Sequence, residues 1–328
     1  MLGIHRPLLI GDFMIQELLK KHVDDFKTVS VRDYIDARQK HFSHLDEDFS
    51  HLKGYDTIIT LALSFPKGKP RYKGKGYGMI SRYAHGRDYH LVYKEKLNAI
   101  EKTLEEKNIK ALGSSDISPI DERFAAYLSG LGYIGHNQFL IHPEFGTHLY
   151  LATILIDTPF EIEPYQYDTC GDCTRCIDAC PTNALSKKGF IRERCLSFKT
   201  QEKRPYDLDV LSDFKTFVFG CDICQDVCPK NKDITPVKRE VFESGDEAQL
   251  HLESVLEMSN KAFMRTYGHY AFAWRGGLVI KRNAIALLFN QSLDEARPLV
   301  EKTYEQYKHV PWFEKTVAKI LEEWKIKS

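Results

Sequence analysis

Nowhere does this 328-residue chain hold 18 uninterrupted apolar residues, so no membrane-spanning helix is expected. No secretory leader is expected either. The opening MLGIHRPLLIGDFMIQELLKK is broken by Pro7, Gly11 and Asp12 and has no basic n-region, long apolar core or small-residue cleavage site. Net charge is absent, with 46 Lys and Arg against 46 Asp and Glu, which excludes a molecule that attracts polyanions as a whole. Any nucleic-acid surface must then be local. There is no low-complexity tail, and no repeat apart from a paired cysteine motif. These absences point to a cytoplasmic protein without a membrane anchor, where thiols stay reduced. The length allows two or three domains and a sizeable core.

Cysteine is scarce but concentrated, and all eight lie between positions 170 and 228. CGDCTRCIDACP, from Cys170 to Pro181, has the C-x2-C-x2-C-x3-C-P spacing of a bacterial iron-sulfur run. In such runs three close thiolates hold one cluster, and the fourth, before the proline, reaches another. The partner run is CDICQDVCP, with Cys221, Cys224 and Cys228, which lacks a first cysteine; Cys195 can supply it. The expected pairing puts Cys170, Cys173, Cys176 and Cys228 on one 4Fe-4S cluster, and Cys195, Cys221, Cys224 and Cys180 on the other. Disulfides would need an oxidising compartment, and structural zinc usually reads as two CxxC pairs without the third close cysteine and the proline. The spacing favours two clusters over both.

The remaining chain divides around this module into 1–159, an α/β domain; 160–235, the ferredoxin-like module; and 236–328, a helical region. Ile15 to His22 suits a helix, and Tyr55–Phe65 and His148–Asp157 read as buried strands. Between them, KGKPRYKGKGYG carries Lys67, Lys69, Arg71, Lys73 and Lys75 among glycines and tyrosines. It reads as an irregular, mobile loop, either merely solvated or able to grip phosphates and stack on bases. In SRYAHGRDYH, residues Arg82, Tyr83, His85 and Arg87 precede a helix whose Tyr93, Leu97, Ile100 and Leu104 form a core face.

In SSDISPIDERFAAYLSGLGYIGHN, Ser118 as N-cap and Pro119 as first residue predict a helix over 119–129. Asp116 then stands just outside its N-terminus, where a turn role is the plain reading. Gly130, Gly132 and Gly135 imitate a dinucleotide fingerprint, but they follow a helix instead of a strand, so NAD is not expected. A second basic concentration, Lys187, Lys188, Arg192, Arg194, Lys199, Lys203 and Arg204, surrounds Cys195. After Pro236, VIKRNAIALLFN, LDEARPLVEKTYEQY and WFEKTVAKILEEW read as amphipathic helices too few to stand alone, and residues 271–282 add Arg275, Lys281 and Arg282 beside an aromatic pair.

RYAHGRDYH, the D-x-x-P-x-x-E-R element (Asp116, Pro119, Glu122, Arg123), GLGYIGHN, both cysteine motifs and RNAIAL together resemble the epoxyqueuosine reductases, the cobalamin-dependent iron-sulfur enzymes of queuosine tRNA modification. The likeness covers most of the chain. It departs at Ile117 and Ser118, where the family often has threonine and glycine, at Tyr133 in place of tryptophan, and at His136 in place of lysine.

The resemblance implies an α/β (α+β) fold: a nitroreductase-like cobalamin-binding core, a two-cluster ferredoxin-like module and a C-terminal helical-repeat-like tail. It implies cobalamin beside two 4Fe-4S clusters, with cob(I)alamin acting on the epoxide and Asp116 as proton donor. Arg82, Asp121, Glu122, Arg123 and Asn137 become contacts of the corrinoid. Implied partners are tRNA carrying epoxyqueuosine in its anticodon stem-loop and a low-potential electron donor such as a flavodoxin or ferredoxin, the enzyme itself acting as a monomer. A carboxyl at a helix N-terminus favours its ionised form, so Asp116 is expected to lie in a desolvated pocket that holds its proton. Two other readings fit fewer features: a corrinoid-dependent reductase of another substrate, such as an organohalide, and a non-enzymatic two-cluster electron carrier.

Overall fold

The computed structural model describes residues 10–68, 70–165, 169–235 and 239–327. Pro7, Lys69 and the boundary at Pro236 lie outside the described residues. The chain condenses into two units, one made of Met1–Phe65, His90–Asp172 and Lys230–Thr235, the other of Pro66–Tyr89, Cys173–Pro229 and Pro236–Ser328. This differs from three consecutive blocks.

The first unit is built on a four-stranded antiparallel sheet in the order Asp25–Ser30, Thr57–Ser64, Leu149–Ile156, Ala111–Ser114. Two of these are the strands expected from apolar runs, each shorter by a residue or two at its ends. Every residue of Thr57–Ser64 is buried. Register explains why the run is apolar on both faces. Gly113 pairs with Ile154 and Ile154 with Ile59, so the three share one face. A Cβ on Gly113 would lie 2.9 Å from Leu97, which brings the helix Tyr89–Glu105 onto that face. Ile58 and Leu155 occupy the opposite face and pack with Ala125 of the helix Glu122–Leu128 and Tyr34 of the helix Val31–His41. A sheet covered on both faces needs no polar alternation.

The N-terminal helix, Ile10–Lys20, begins earlier than expected, and the helix expected over 119–129 is shorter, Glu122–Leu128. Its N-cap is Asp121, whose side chain accepts from Phe124 N–H at 3.1 Å, and not Ser118. Ser118 instead accepts from Ile120 N–H at 3.0 Å and turns the chain before the helix.

In the second unit Tyr77–Ile80 is the middle strand between Phe217–Phe219 and Gln249–His251. One hydrophobic core joins Ile80, Leu196, Phe219, Leu252, Phe272, Ile285, Phe313 and Trp324. The cysteine-bearing segment and the C-terminal helices therefore share a core, which is why they do not separate near 236. The helix Gly277–Asn290 was expected to be amphipathic; it is buried all round, including Lys281 and Arg282, because it is the central helix of this unit.

The segment after Pro66 is irregular, as expected, but its backbone is tied. Gln249 Oε1 accepts from Lys73 N–H at 2.7 Å, Gln249 Nε2 donates to Arg71 O at 2.8 Å, and Gln291 Oε1 accepts from Gly76 N–H at 2.7 Å. Arg71, Lys73 and Lys75 stay exposed.

Candidate catalytic loop and cysteine module

The loop from Ser115 to Asp121 leaves an edge strand, Ala111–Ser114, and enters the helix Glu122–Leu128. At its turn Asp116 takes the left-handed conformation, φ 61°, which costs an ordinary L-residue energy and persists only when its surroundings impose it. Three bonds do so. Ile117 N–H donates to Ser115 O at 2.8 Å, Asp116 N–H donates to Glu122 Oε1 at 2.7 Å, and Asp116 Oδ2 lies 2.7 Å from His90 Nε2. The carboxylate is thus aimed by a histidine in the first turn of the helix Tyr89–Glu105.

Asp116 is not desolvated here, its side chain being 46% exposed, which corrects the expected pocket. The more buried acid nearby is Glu122. Burial first, then the negative charges of Asp116 and Asp121, push Glu122 up to about 8, against the opposing pull of the Asp116 N–H and His90.

Asp121 is committed to its helix cap and to Arg38 Nη1 at 3.1 Å, while Arg38 also pairs with Glu47. Arg123 donates from Nη1 to Gln138 O at 2.7 Å. Asn137 lies in the turn between Tyr133–Ile134 and Leu140–Ile141, with Oδ1 accepting from Phe139 N–H at 3.3 Å. Its Nδ2 is buried with no hydrogen-bond partner. Such an orphan donor costs free energy unless a ligand accepts from it, so this position fits an amide-rich cofactor. The glycines around it pack the turn: a Cβ on Gly132 would lie 2.6 Å from Ile141 O, and one on Gly135 2.5 Å from Ile141 Cδ1.

Arg82 belongs to the second unit. It donates from Nη2 to Asp226 at 2.6 Å and from Nη1 to Lys67 O at 3.0 Å, and its N–H donates to Asp222 at 3.1 Å. Only Nη2 of its guanidinium hydrogen-bonds within the stretch between Cys221 and Cys228, and its Nε is buried with no hydrogen-bond partner among the described residues. His85, in the same motif, is buried between Ile80 O and Ser244.

Both halves of the cysteine pattern make the same short element, Arg175–Asp178 and Ile223–Asp226, and the two pack together. Desolvation, then the charges of Asp222, Cys195 and Cys180, push Cys221 up to about 12. Cys224 is raised by burial and by Cys221, Cys195, Cys176 and Cys180. Cys180, Cys195, Cys221 and Cys224 thus share one neighbourhood, and as thiolates they would repel strongly unless a cation sat among them. For Cys180 burial opposes the thiolate, but bonds from Thr182, Ala184 and Leu185 outweigh it and lower its pKa. Among the described residues no three His, Cys, Asp or Glu converge on a single ion. In a four-iron cluster each thiolate binds a different iron, so such convergence is not required.

The RNAIAL motif organises this neighbourhood. Arg282 donates to the carbonyls of Lys199 (3.1 Å), Glu202 (2.6 Å) and Arg204 (3.3 Å), and Asn283 Nδ2 donates to those of Thr200 (2.7 Å) and Val218 (2.8 Å). Thr200 Oγ1 in turn accepts from Gly220 N–H at 2.9 Å. The segments following Cys195 and preceding Cys221 are clamped together. Lys281 Nζ is likewise used internally, donating to Leu256 O at 2.5 Å. Neither Lys281 nor Arg282 reaches the surface as a phosphate contact, as their place in a basic stretch had suggested. Arg275 remains partly exposed beside Trp274, its guanidinium 4.0 Å from the ring centre.

His90 escaped sequence reasoning, which stopped at Arg87 because loop residues carry function more often than helix faces. Its signal was the end of RYAHGRDYH, in the first turn of the helix.

Two family models match the chain: epoxyqueuosine reductase QueG, DUF1730, over residues 49–116, and the 4Fe-4S double cluster binding domain over 169–231. The chain is 36% identical over 253 residues to the epoxyqueuosine reductase of Staphylococcus aureus, covering 75% of this chain and 67% of that one. It is 33% identical over 308 residues to that of Lactococcus garvieae, covering 88% and 87%. Some relatives are longer, and the chain spans 64% of the Bacillus anthracis epoxyqueuosine reductase. It is also similar to a crystallised epoxyqueuosine reductase holding a tRNA-Tyr epoxyqueuosine-modified stem loop, with a TM-score of 0.79, 26% identity and coverage of 96% and 99%.

Proposed function

The chain belongs to the epoxyqueuosine reductase family, and from that premise we propose that it reduces epoxyqueuosine to queuosine at the wobble position of tRNA. The observation that carries this reading is the likeness, over nearly the whole chain, to a reductase crystallised with the modified stem loop. Opening the epoxide to an alkene takes up two electrons and two protons and releases the oxygen as water.

Cobalamin, when bound and reduced through the 4Fe-4S clusters, supplies the electrons at the epoxide carbons. Asn137, with its orphan Nδ2, and Arg123 and Glu122 beside the loop are the residues of the first unit that would hold it. Asp121 and Arg82 act on the protein itself, one as helix cap and the other as counter-charge to Asp222 and Asp226. Cys170, Cys173, Cys176 and Cys228 ligate one cluster, and Cys180, Cys195, Cys221 and Cys224 the other.

Asp116 gives its proton to the departing oxygen, with its carboxyl oriented by His90 and its backbone held by Glu122. Exposed basic residues, including Arg71, Lys73 and Lys75, meet stem-loop phosphates. A flavodoxin- or ferredoxin-like donor reduces the clusters, and the enzyme works as a cytoplasmic monomer. Among the described residues no helix is long and apolar enough to cross a membrane.

The test is anaerobic turnover by the full chain with reconstituted clusters, cobalamin, a low-potential reductant and epoxyqueuosine-modified stem loop, read by mass spectrometry of the nucleoside. Queuosine should form only with cobalamin. Asp116→Asn should slow turnover by roughly 10²–10⁴-fold while cobalamin still binds. Full turnover by that variant would remove Asp116 from the proton-donor role; no queuosine from a fully loaded enzyme would move the activity to another substrate.

A further inference from the structure

A general acid must hold a proton at the pH where it works, yet the Asp116 carboxyl is nearly half exposed and the loop offers it no enclosure. Resting on the reading of Asp116 as proton donor, the difficulty is where that proton is kept. Two groups bound to Asp116 define the geometry. His90 Nε2 touches Oδ2 at 2.7 Å, and Glu122 Oε1 is occupied by the Asp116 N–H at 2.7 Å, which leaves Glu122 Oε2 as the oxygen able to carry a proton. Asp121, the cap of the same helix, adds negative charge from the other side, with its own carboxylate answered by Arg38. Arg123, next along, is turned to Gln138 O.

We propose that Glu122 stores the proton for Asp116: the two carboxyls share one proton, which rests on Glu122 while the loop is open to water and passes to Asp116 when substrate covers it. The transfer balances without a co-reactant. Glu122 changes from acid to carboxylate, Asp116 from carboxylate to acid, no electrons move, and Glu122 is reloaded from solvent after turnover.

The direction of each half follows from the environment. Glu122 is half-buried and burial pushes it up to about 8, whereas the Asp116 carboxyl is 46% exposed to water. Covering Asp116 desolvates it and reverses the order, and once Glu122 is charged, its negative charge beside Asp116 helps keep the proton there. Two carboxyls whose environments separate their proton affinities are a recurrent way to obtain an acid at neutral pH. Glu122 acts through Asp116 and needs no contact with the reacting atoms.

Glu122→Gln separates storage from positioning, because the amide oxygen still accepts the Asp116 N–H while the group no longer titrates. Infrared titration of the full, cluster-loaded chain without substrate should show a neutral carboxylic-acid C=O band at neutral pH that fades near pH 8. The band should be missing in Glu122→Gln and kept in Asp116→Asn. Turnover by Glu122→Gln should fall about tenfold or more at neutral pH and recover toward acid pH, where solvent protonates Asp116 directly. Stem-loop affinity should not change.

A band that survives in Glu122→Gln, or a pH profile identical to the parent, overturns the proposal. If Asp116→Asn is inactive in the same experiment, the donor role stands and only storage by Glu122 falls. If Asp116→Asn is fully active, the donor role itself falls.

Discussion

At the scale of single residues, charge in this protein is governed by burial. Glu122 binds its proton more tightly folded than unfolded, so between about pH 4.5 and pH 8 the native state holds a proton that the unfolded chain has lost. The stability this proton contributes is therefore fully present below about pH 4.5 and is lost progressively as pH rises toward 8. Glu122→Gln should flatten the decline of melting temperature with pH over this range, a comparison that thermal unfolding at a series of pH values makes directly. Arg282 is the opposite case, a buried cation satisfied by three carbonyls and Asn283. Arg282→Ala strands those carbonyls, and at ~1–3 kcal/mol for each unsatisfied group the loss should be at least about 3 kcal/mol. Iron bound per chain should fall with it, since the arm after Cys195 is released. Lysine cannot substitute, because a single ammonium does not reproduce the planar fork.

Elements here are placed by their ends. The helix Glu122–Leu128 starts at Asp121 because that carboxylate has a free N–H to accept and an arginine to balance it. It stops at Gly130, φ 74°, where Leu131 N–H reaches back to Ala126 O. A Cβ at Gly130 would come within 2.3 Å of Pro164 Cβ. Gly130→Ala should thus cost more than ~1 kcal/mol, through both the left-handed backbone and the clash, and should weaken cobalamin binding by disturbing the turn that carries Asn137. Calorimetry and a cobalamin titration would measure the two effects. The glycine run that imitates a dinucleotide fingerprint is explained by this same close packing against Ile141 and Pro164.

For the whole molecule, a net charge of zero means that the RNA binding proposed for it must rest on local exposed cations. Binding of the modified stem loop should weaken steeply with salt. Replacing Arg71, Lys73 and Lys75 together by alanine should reduce the slope of log affinity against log salt by roughly two, at about 0.7–0.9 for each phosphate no longer neutralised. An unchanged slope, measured by fluorescence anisotropy across salt concentrations, would remove this segment from the interface. Lys281 and Arg282 cannot contribute to such a slope from inside the core.

Cysteine spacing, the apolar strands and the core face of the helix Tyr89–Glu105 were all legible in the one-dimensional chain, because each depends on residues a few positions apart. The D-x-x-P-x-x-E-R element was equally visible, and with it the loop that carries Asp116. Tertiary structure alone decided what meets across long separations: His90 with Asp116, Arg282 with the carbonyls after Cys195, and Arg82 with Asp222. It also decided that burial raises the proton affinity of Glu122. Asp116 and Glu122 differ by one methylene in sequence, and only folding leaves one in water and the other largely out of it, which is what sets the energy of a charge.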